Sequence, residues 1–415
     1  MNSGSVKEFS AILGAEKPNG KENMPSPPQY AQETLRRLEN AGYEAFFVGG
    51  CVRDLLLGRR PQDWDVCTSA LPTQVMEVFP RALPTGLQHG TVTVRLGGGH
   101  VEVTTFRADG EYRDHRRPES VNFVRNLEED LLRRDFTINA MALSPDGKLT
   151  DLCGGREDLK NKIIRCVGDP HARFNEDALR MLRALRFSAQ LGFEIEANTW
   201  NAVCKCAKLA STLASERVRE ELEKILCSRR PETLTRVVSC GLLDAYLRTP
   251  RVETDMRRLS RLPRTPQARW SGFCAILARS GAIEDEARFL RALRLPAATI
   301  RACASGVAAV REAKPASRLD WKRLLAERGE AAAFCAACAS EALSPSGALR
   351  TLKEILASGE CCAISALAVN GDDLRARGLR GEEIGRMLRR LLGHVLEHPQ
   401  DNTRGRLLSL SEQEI

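Results

Sequence analysis

Residues 45–65 read AFFVGGCVRDLLLGRRPQDWD, and this stretch decides the fold of the first part of the chain. The apolar run at 45–48 predicts a short strand, which Gly49-Gly50 ends. A helix is predicted to resume over residues 52–57. Glycines between a strand and a helix let backbone N–H groups approach a phosphate, and the N-terminal end of the helix dipole favours the same anion.

Two carboxylates close this stretch. Asp63 and Asp65 are separated by Trp64, and alternate side chains of a strand lie on one face. Carboxylates this close repel each other unless a cation lies between them, and Mg²⁺ usually takes one or two carboxylates together with substrate phosphates. That combination serves phosphoryl or nucleotidyl transfer. Such a pair also occurs on solvated strand edges, but the glycines upstream and Arg53, one helical turn on, favour a metal site.

A β-hairpin is predicted further along the chain. Residues 91–96 (TVTVRL) and 101–106 (VEVTTF) both alternate apolar and polar side chains, and three glycines lie between them. Glu102 stands between two valines, so its side chain points away from theirs. It is an ordinary exposed strand residue, or else it completes the metal pair or activates a hydroxyl beside Asp63 and Asp65.

The character of the sequence changes near residues 150–165. Before that point strands and helices alternate, beginning with an amphipathic helix over residues 30–42, and after Gly154-Gly155 the periodicity is helical almost throughout. We therefore place a domain boundary at this change. Helices are predicted over residues 176–190, 215–227, 231–246 and 319–339.

Composition excludes two broad classes of protein. Of the 415 residues, 43% are hydrophobic, which is enough for packed cores and argues against wholesale disorder. No apolar run approaches the ~18 residues of a membrane span. The polar start lacks the apolar segment of a secretory signal, so a cytoplasmic protein without a membrane partner is predicted. The formal charge of +8 favours anionic partners weakly.

The 14 cysteines are scattered and often lie among apolar residues. In a reducing compartment such residues are mainly small buried side chains. Cys335 and Cys338 form a CxxC pair, but neither a second CxxC nor an HxxxH accompanies it. A structural zinc site is therefore not predicted.

Several motifs in order carry a family resemblance. Residues 48–54 (VGGCVRD), followed by Asp63-Trp64-Asp65, resemble the head motif of class II tRNA nucleotidyltransferases, the CCA-adding enzymes, which bacterial poly(A) polymerases share. Residues 133–140 (RRDFTINA) resemble the family's second motif, and residues 176–187 (EDALRMLRALRF) resemble its nucleotide-selecting motif. Residues 215–221 (SERVREE) look like the neck helix motif that follows.

The resemblance implies an α/β head of polymerase-β-like nucleotidyltransferase type, followed by all-α neck, body and tail domains. It also implies a Mg²⁺-dependent enzyme that uses CTP and ATP and binds the 3′ acceptor end and the elbow of tRNA. The expected divisions are a disordered tail at 1–27, a catalytic head at 28–152, a neck with the nucleotide-selecting motif at 153–230, a body at 231–330 and a tRNA-binding tail at 331–415.

Part of the nucleotide-selecting motif can be interpreted from base chemistry. Asn175 is predicted to cap this helix, and Asp177 and Arg180 are three residues apart, so they are neighbours on one face. They are a surface ion pair, or else a base-reading pair, because cytosine and adenine both present an amino donor beside a ring-nitrogen acceptor. Uracil and guanine present the opposite order and would leave buried polar groups unpaired, at about 1–3 kcal/mol each.

The resemblance implies the base-reading role for Asp177 and Arg180, and it assigns further residues. Asp63 and Asp65 are expected to hold the metal ions. Glu102, which strand alternation alone singles out, is the third candidate catalytic residue. The remaining nucleotide-binding residues are expected to be Gly50, Arg53, Arg134, Arg183 and Arg186.

The second motif contains two residues with specific expectations. Arg134 is expected to bind the sugar or the triphosphate. Asp135 either contacts the ribose or caps residues 137–139. Basic faces further along the chain either contact RNA or are simply solvated. They contain Arg257, Arg258, Arg261, Arg264, Arg386, Arg389 and Arg390.

Two further segments bear on the product. The polar stretch 107–130 matches a family loop that is needed for adding the terminal A and is shortened in CC-only enzymes. It looks full length here, which favours CCA or A addition. Residues 368–374 (AVNGDDL), with Gly378 and Gly381, resemble the tail segment of Gram-positive-type enzymes.

The predicted function is therefore the addition of C, C and A to the 3′ end of tRNA, with release of pyrophosphate and without a nucleic-acid template. A poly(A) polymerase or an A-adding enzyme of the same family is the alternative. A non-enzymatic RNA-binding protein conflicts with the intact motifs. A small-molecule nucleotidyltransferase with the same head would not need so long a helical remainder.

Overall fold

The computed structural model describes residues 26–109, 121–123 and 126–412 of the chain. Most of the predicted tail at 1–27 and the centre of the predicted loop at 107–130 lie outside these residues. The chain divides into two compact units between Leu213 and Ala214. The first unit combines a mixed β-sheet with helices, and the described part of the second is helical. The predicted fold class, an α/β head followed by helical regions, is confirmed.

The first unit is built on a seven-stranded sheet. Its strands are β1 (Ala45–Val48), β2 (Asp65–Thr68), β3 (Leu83–Gly86), β4 (Thr91–Leu96), β5 (Gly99–Thr105), β8 (Met141–Leu143) and β9 (Leu149–Asp151). They lie in the order β3-β4-β5-β2-β1-β8-β9. Neighbours are antiparallel except β2 and β5, which are parallel. A separate antiparallel pair is formed by β6 (Arg107–Asp109) and β7 (Val121–Phe123).

The sequence predicted an amphipathic helix at the start of the first unit, and the structure shows one. The first helix buries Ala31, Leu35 and Leu38, as expected for its amphipathic sequence, and it ends shortly before Gly42, whose φ is +85°. The helices are α1 (Gln29–Asn40), α2 (Gly50–Leu56), α3 (Pro72–Val78), α4 (Leu127–Leu132), α5 (Gly155–Asn161), α6 (Pro170–Glu176), α7 (Leu179–Leu191) and α8 (Ala197–Cys206).

The predicted hairpin is confirmed and has one apolar face. Strands β4 and β5 pair from Thr91 opposite Thr104 to Leu96 opposite Gly99, and the two glycines between them have positive φ. Helices α1 and α3 contact both strands. The fully buried side chains of the hairpin are Val92, Val94, Val101 and Val103. Because side chains alternate along a strand, Glu102 lies on the other face.

Two short strands appear in the region where the sequence predicted an almost entirely helical chain. These are β10 (Ile163–Ile164) and β11 (Glu194–Ile195), which pair in parallel. They flank the segment that contains α6 and α7, and Ile164 and Ile195 are buried. Strands of two residues are too short to produce a recognisable alternation, which is why the sequence pattern did not indicate them.

Helices make up the described secondary structure of the second unit. They are α9 (Ser215–Leu226), α10 (Leu234–Ser239), α11 (Pro266–Arg279), α12 (Glu286–Ala292), α13 (Ala297–Ala313), α14 (Arg318–Leu343), α15 (Ala348–Ser358), α16 (Gly371–Arg375), α17 (Glu382–Glu397) and α18 (Arg404–Glu412). The helix predicted over 231–246 is interrupted near Gly241, whose φ is +91°. The helix predicted over 319–339 runs further and contains non-helical Gly329.

Buried cysteines and a glycine pack between the helices of the second unit. Cys335 and Cys338 are both fully buried in α14, and the Cys335 sulfur lies 4.0 Å from the sulfur of Cys303. Gly306 packs so closely against α14 that an added Cβ would collide with its backbone. No described helix is both long enough and apolar enough to cross a membrane.

Candidate active site

Three acidic residues of the first unit, Asp63, Asp65 and Glu102, lie where β2 and β5 are side by side. Asp65 is the first residue of β2 and pairs with Glu102 of β5. The Trp64 carbonyl accepts a hydrogen bond of 3.0 Å from the Glu102 N–H. Because paired residues of neighbouring strands point to the same side of a sheet, the Asp65 and Glu102 side chains share one face.

Asp63 lies just outside β2, although the sequence predicted it on the strand. Its Oδ1 is 4.0 Å from Nε2 of His100. His100 precedes Glu102 by two residues on β5 and so lies on the same face. The Trp64 side chain between the two aspartates is 4% exposed and anchors the turn into the strand. Asp63 and Asp65 therefore reach the same side of the sheet, as their spacing predicted.

Burial raises the pKa of Asp65 to about 6, and repulsion from Glu102 and Asp63 acts in the same direction. The guanidinium groups of Arg134 and Arg53 lower this pKa, but they do not cancel the increase. Burial, together with repulsion from the two neighbouring carboxylates, thus outweighs the stabilisation that the arginines give the ionised form. A divalent cation bound there would stabilise the ionised carboxylates.

The donor set fits a hard divalent cation that is completed by a substrate. Within the described ranges, no three His, Cys, Asp or Glu side chains lie close enough together to hold a metal ion by themselves. Asp63 and Asp65 supply carboxylate oxygens on one face. Mg²⁺ typically binds one or two carboxylates and takes its other ligands from water and substrate phosphates. The two aspartates therefore match a magnesium site that forms together with a nucleoside triphosphate.

A glycine turn brings Arg134 next to Asp65. Gly49 joins β1 to α2 with φ +72°, and a Cβ there would lie 3.2 Å from Arg134 Nη1 and 3.7 Å from Asp65 Oδ2. Arg134 Nη2 donates to Asp130 at 2.9 Å, and Arg133 Nη2 donates to the other carboxylate oxygen at 2.6 Å. Although burial opposes it, these arginines hold the pKa of Asp130 below its ordinary value. Asp130 thereby fixes the direction of Arg134.

Three of the predicted nucleotide-binding arginines surround one aromatic ring. The guanidinium carbons of Arg53, Arg183 and Arg186 lie 5.4, 5.5 and 3.9 Å from the centroid of Phe187. Arg53 Nη1 also donates to Asn139 Oδ1 at 2.9 Å. Attraction to the face of the ring offsets part of the repulsion among the three cations. The first and third motifs therefore meet at Phe187, and Gly50 begins the helix that carries Arg53.

Asp135 is buried, and both of its carboxylate oxygens are bound within the protein. Oδ1 accepts hydrogen bonds from the Phe136 N–H at 2.8 Å and from Asn139 Nδ2 at 3.3 Å. Oδ2 accepts from Arg183 Nε at 2.7 Å. Although burial acts against it, the Arg183 guanidinium holds the pKa of Asp135 below its ordinary value. Asp135 does not cap residues 137–139, because Phe136 holds the N-cap position and no side chain bonds to the first N–H groups of this turn. The ion pair with Arg183 was not predicted.

The helix predicted over 176–190 is broken at Asp177. Asn175 was predicted to cap it, which is wrong, because Asn175 lies within α6 and donates to the His171 carbonyl at 2.8 Å. Asp177 has an extended backbone, and its Oδ1 accepts from the Leu179 N–H at 3.0 Å. The first N–H groups of a helix have no partner within it, so an acidic side chain at this break satisfies one of them.

Arg180 is 8% exposed and is held by its sequence neighbours. Its Nη1 donates to Glu176 at 2.5 Å and to the Arg173 carbonyl at 3.2 Å, and its Nη2 donates to the Arg133 carbonyl at 3.4 Å. Glu176 also accepts from Arg173 Nη1 at 2.9 Å. These bonds orient the guanidinium. Asp177 and Arg180 thus lie on either side of a helix break rather than on one continuous helical face.

Sequence reasoning gave no role to Glu176, Asp130 or Phe187. Glu176 and Asp130 each stand three or four residues from the arginines that they bind. That spacing is the signal that could have indicated these contacts, although the Glu176–Arg180 pair spans the break at Asp177. No local pattern indicates Phe187 as a meeting point, since Arg53 is distant from it in sequence.

Two family models match the chain. The model described as "Poly A polymerase head domain" matches residues 45–165. The model described as "Probable RNA and SrmB- binding site of polymerase A" matches residues 192–255. The first match contains the carboxylates of β2 and β5 as well as Arg134, and α7 lies between the two matches.

Curated relatives and a solved structure extend the similarity over most of the chain. A CCA-adding enzyme of Geobacillus sp. (strain WCH70) is 41% identical over 85% of this chain and 88% of its own length. A CCA-adding enzyme of Limosilactobacillus fermentum is 37% identical over 91% of this chain and 94% of its own length. The crystal structure of the Bacillus stearothermophilus CCA-adding enzyme in complex with CTP matches with a TM-score of 0.73 at 33% identity, covering 90% of this chain and 94% of the other.

Proposed function

This chain belongs to the family of CCA-adding enzymes, and from that premise we propose that it adds C, C and A to the 3′ end of tRNA. The nucleotides come from CTP and ATP, pyrophosphate is released, and no nucleic-acid template is used. The observation that carries the proposal is that Asp63, Asp65 and Glu102 share one face of the sheet in the same unit as Asp177 and Arg180.

We assign the metal site to Asp63 and Asp65, with Mg²⁺ as the ion. When bound, Mg²⁺ lowers the pKa of the attacking 3′-hydroxyl and neutralises charge as pyrophosphate leaves. Asp65 supplies a carboxylate that is partly shielded from solvent, and Asp63 supplies one that is 76% exposed. Glu102 lies beside Asp65 on the neighbouring strand and faces the same space, so it is the third carboxylate of the catalytic set.

The triphosphate side of the site is assigned to the arginines around Gly49-Gly50. Arg134 lies beside Asp65 and is oriented by Asp130, which suits a contact with the sugar or the triphosphate. Phosphate oxygens accept hydrogen bonds from guanidinium groups in a well-defined geometry. The other residues assigned to the nucleotide are Gly50, Arg53, Arg183 and Arg186, which follow the glycine turn or gather around Phe187.

Base selection is assigned to Asp177 and Arg180. The carboxylate would accept a hydrogen bond from the amino group of cytosine or adenine, and the guanidinium would donate to the ring nitrogen. Glu176 supports the assignment, because it holds the buried guanidinium of Arg180 from the preceding helix. Uracil and guanine would present an oxygen to the carboxylate and an N–H to the guanidinium, so both are expected to be rejected.

The partners of the protein are tRNA, CTP and ATP. We keep the division into head (28–152), neck (153–230), body (231–330) and tail (331–415) as a proposal, together with a cytoplasmic location. Binding of the body and tail to the acceptor end and elbow of tRNA would be salt-sensitive, because it depends on contacts with phosphates.

Sequencing of product ends tests the proposal. A tRNA transcript that lacks its CCA end is incubated with the protein, Mg²⁺, CTP and ATP, and the 3′ ends are sequenced. The expected product carries C, C and A and is not extended further. A long A tract would show a poly(A) polymerase instead, and addition of A only to a transcript that already ends in CC would show an A-adding enzyme.

A further inference from the structure

The polar face of the hairpin also carries basic residues beside the carboxylates. His100 precedes Glu102 by two residues, and Arg95 of β4 is the cross-strand partner of His100. Directly paired residues share a face, so Arg95, His100 and Glu102 lie on the same side of the sheet. Arg81, two residues before β3, lines a cleft of about 690 Å³ together with Arg95 and His100.

Two positive charges in this cleft are not neutralised. Arg81 and Arg95 are both exposed, and neither has an ion-pair partner in the part of the chain that the structure describes. The arginines on the other side of Asp65 differ, since Arg134 is bound to Asp130. An uncompensated pair of guanidinium groups beside an open cleft favours a phosphate-bearing ligand.

The cleft lies on the opposite side of the carboxylates from the proposed triphosphate site. In the sheet, β1 lies on one side of β2 and leads into Gly49, which is next to Arg134. Strand β5, followed by β4, lies on the other side of β2. The cleft begins at the site itself, because His100 is 4.0 Å from Asp63. A nucleotidyltransferase needs two substrates that converge on the carboxylates, so the second side is left for the strand that is extended.

We propose that Arg81 and Arg95 bind phosphates of the RNA strand immediately upstream of the reactive 3′-hydroxyl. The proposal rests on the proposed function and assigns its second substrate to this face. The cleft volume falls in the range of about 300–1,000 Å³ that is usual for ligand pockets. Gly98, at the tip of the hairpin, lines the cleft with nothing within 4 Å of the place where a Cβ would lie, so a sugar–phosphate backbone can approach closely there, whereas Tyr30 of α1 covers Gly97 and Gly99.

The test compares Arg81→Ala/Arg95→Ala with Arg36→Ala/Arg37→Ala. The control removes the same charge from α1, which contacts β4 and β5 as part of the layer over the buried valines. Initial rates of C addition are measured on an acceptor-stem RNA hairpin that lacks CCA, because this probe makes fewer contacts elsewhere than a whole tRNA. His100 is left unchanged, since its ring lies beside Asp63.

For the cleft variant, we expect the KM for the RNA hairpin to rise about tenfold, with the KM for CTP unchanged. The slope of log KM against log salt should become shallower by about 0.7 for each phosphate contact that is lost. Arg81→Lys/Arg95→Lys keeps the charge and should retain most of the slope. An increase in the KM for CTP instead of RNA would assign the cleft to the triphosphate and overturn the proposal. Kinetics equal to those of the control would overturn it too.

Direct binding separates this inference from the proposed function. Fluorescence anisotropy with a labelled RNA hairpin, without nucleotide, should show about tenfold weaker binding for the cleft variant. If the wild-type chain adds no C or A, the proposed function fails, but the binding comparison still tests the cleft. If the wild-type chain adds CCA and the cleft variant binds RNA as the control does, only the inference fails.

Discussion

Arg183 of α7 donates to Asp135 at 2.7 Å, and this contact joins the second sequence motif to the third. Asp135 is buried, whereas Arg183 remains partly exposed with 35% of its side chain accessible. The carboxylate is therefore the partner that depends on the ion pair. The same aspartate supports the turn that carries Asn139, which in turn binds Arg53.

We predict that Asp135→Asn lowers the free energy of unfolding by about 1–3 kcal/mol at pH 7, less than for a fully buried pair because Arg183 is partly exposed. The pKa of Asp135 is lower in the folded protein than in the unfolded chain. Its stabilisation is thus complete above the unfolded pKa and is lost as the pH falls through the folded value. Urea unfolding at pH 7 and below pH 3.8 checks this. Exposed Asp372→Asn is the control and should change little; equal stability of both variants at pH 7 would contradict the prediction.

Asp65→Asn should have the opposite effect on stability. The pKa of Asp65 is raised to about 6 in the folded protein. Ionisation of this carboxylate therefore lowers the free energy of unfolding as the pH rises from the unfolded pKa to about 6. We expect the variant to be more stable than the wild type at pH 8 by on the order of 2 kcal/mol without metal, and nearly equal to it at pH 4. Thermal or urea unfolding at both pH values measures the difference.

Mg²⁺ adds a second readout to the same variant. It should stabilise the wild type at pH 8 in the presence of CTP and should stabilise Asp65→Asn much less, because a ligand that binds only the folded state raises its stability. Glu77→Gln, at an exposed position of α3, should respond as the wild type does. A variant that is less stable than the wild type at pH 8 would rule out the proposed cost of ionising Asp65.

Asp63→Ala should abolish nucleotide incorporation while RNA binding survives. The Asp63 side chain is 76% exposed, so its removal leaves no cavity and the fold should be retained. Pyrophosphate release reports turnover, and anisotropy with labelled tRNA reports binding. Near-normal turnover in this variant would disprove the proposed metal role of Asp63.

Glu176→Gln should weaken discrimination against UTP. The substitution removes the charge that holds Arg180 and Arg173, so the guanidinium loses its fixed orientation. The ratio of kcat/KM for CTP to that for UTP is expected to fall about tenfold, which corresponds to about 1.4 kcal/mol. Glu157→Gln, at an exposed position of α5, should keep the wild-type ratio. If both variants keep it, Glu176 has no part in base selection.

Gly49→Ala should reduce activity by more than its backbone strain explains. Gly49 and Gly42 both have positive φ, so alanine is strained at either position, and more so at Gly49, whose ψ of −132° lies outside the left-handed helical region. Only at Gly49 would the new Cβ contact Arg134 Nη1, at 3.2 Å, whereas nothing lies within 4 Å at Gly42. We expect the KM for CTP to rise for Gly49→Ala and not for Gly42→Ala. Equal kinetics in the two variants would show that Arg134 does not need this space.

The sequence alone predicted the elements whose periodicity is local. Alternation over 91–96 and 101–106 identified the hairpin, and the spacing of Asp63 and Asp65 predicted that both reach one side of the sheet. The resemblance supplied the family. The sequence pattern did not indicate the break at Asp177, because an apolar periodicity that continues on both sides of a break looks like one helix.

Tertiary structure alone decided which charged residues from distant parts of the chain meet. Strand register placed Glu102 beside Asp65, and it placed His100 and its cross-strand partner Arg95 on the same face of the sheet. Folding also brought Arg53 to Phe187. The physical reason is that the repeat of side chains along a strand or helix is set by the backbone within a few residues, whereas strand pairing and helix packing are set by burial across the whole unit.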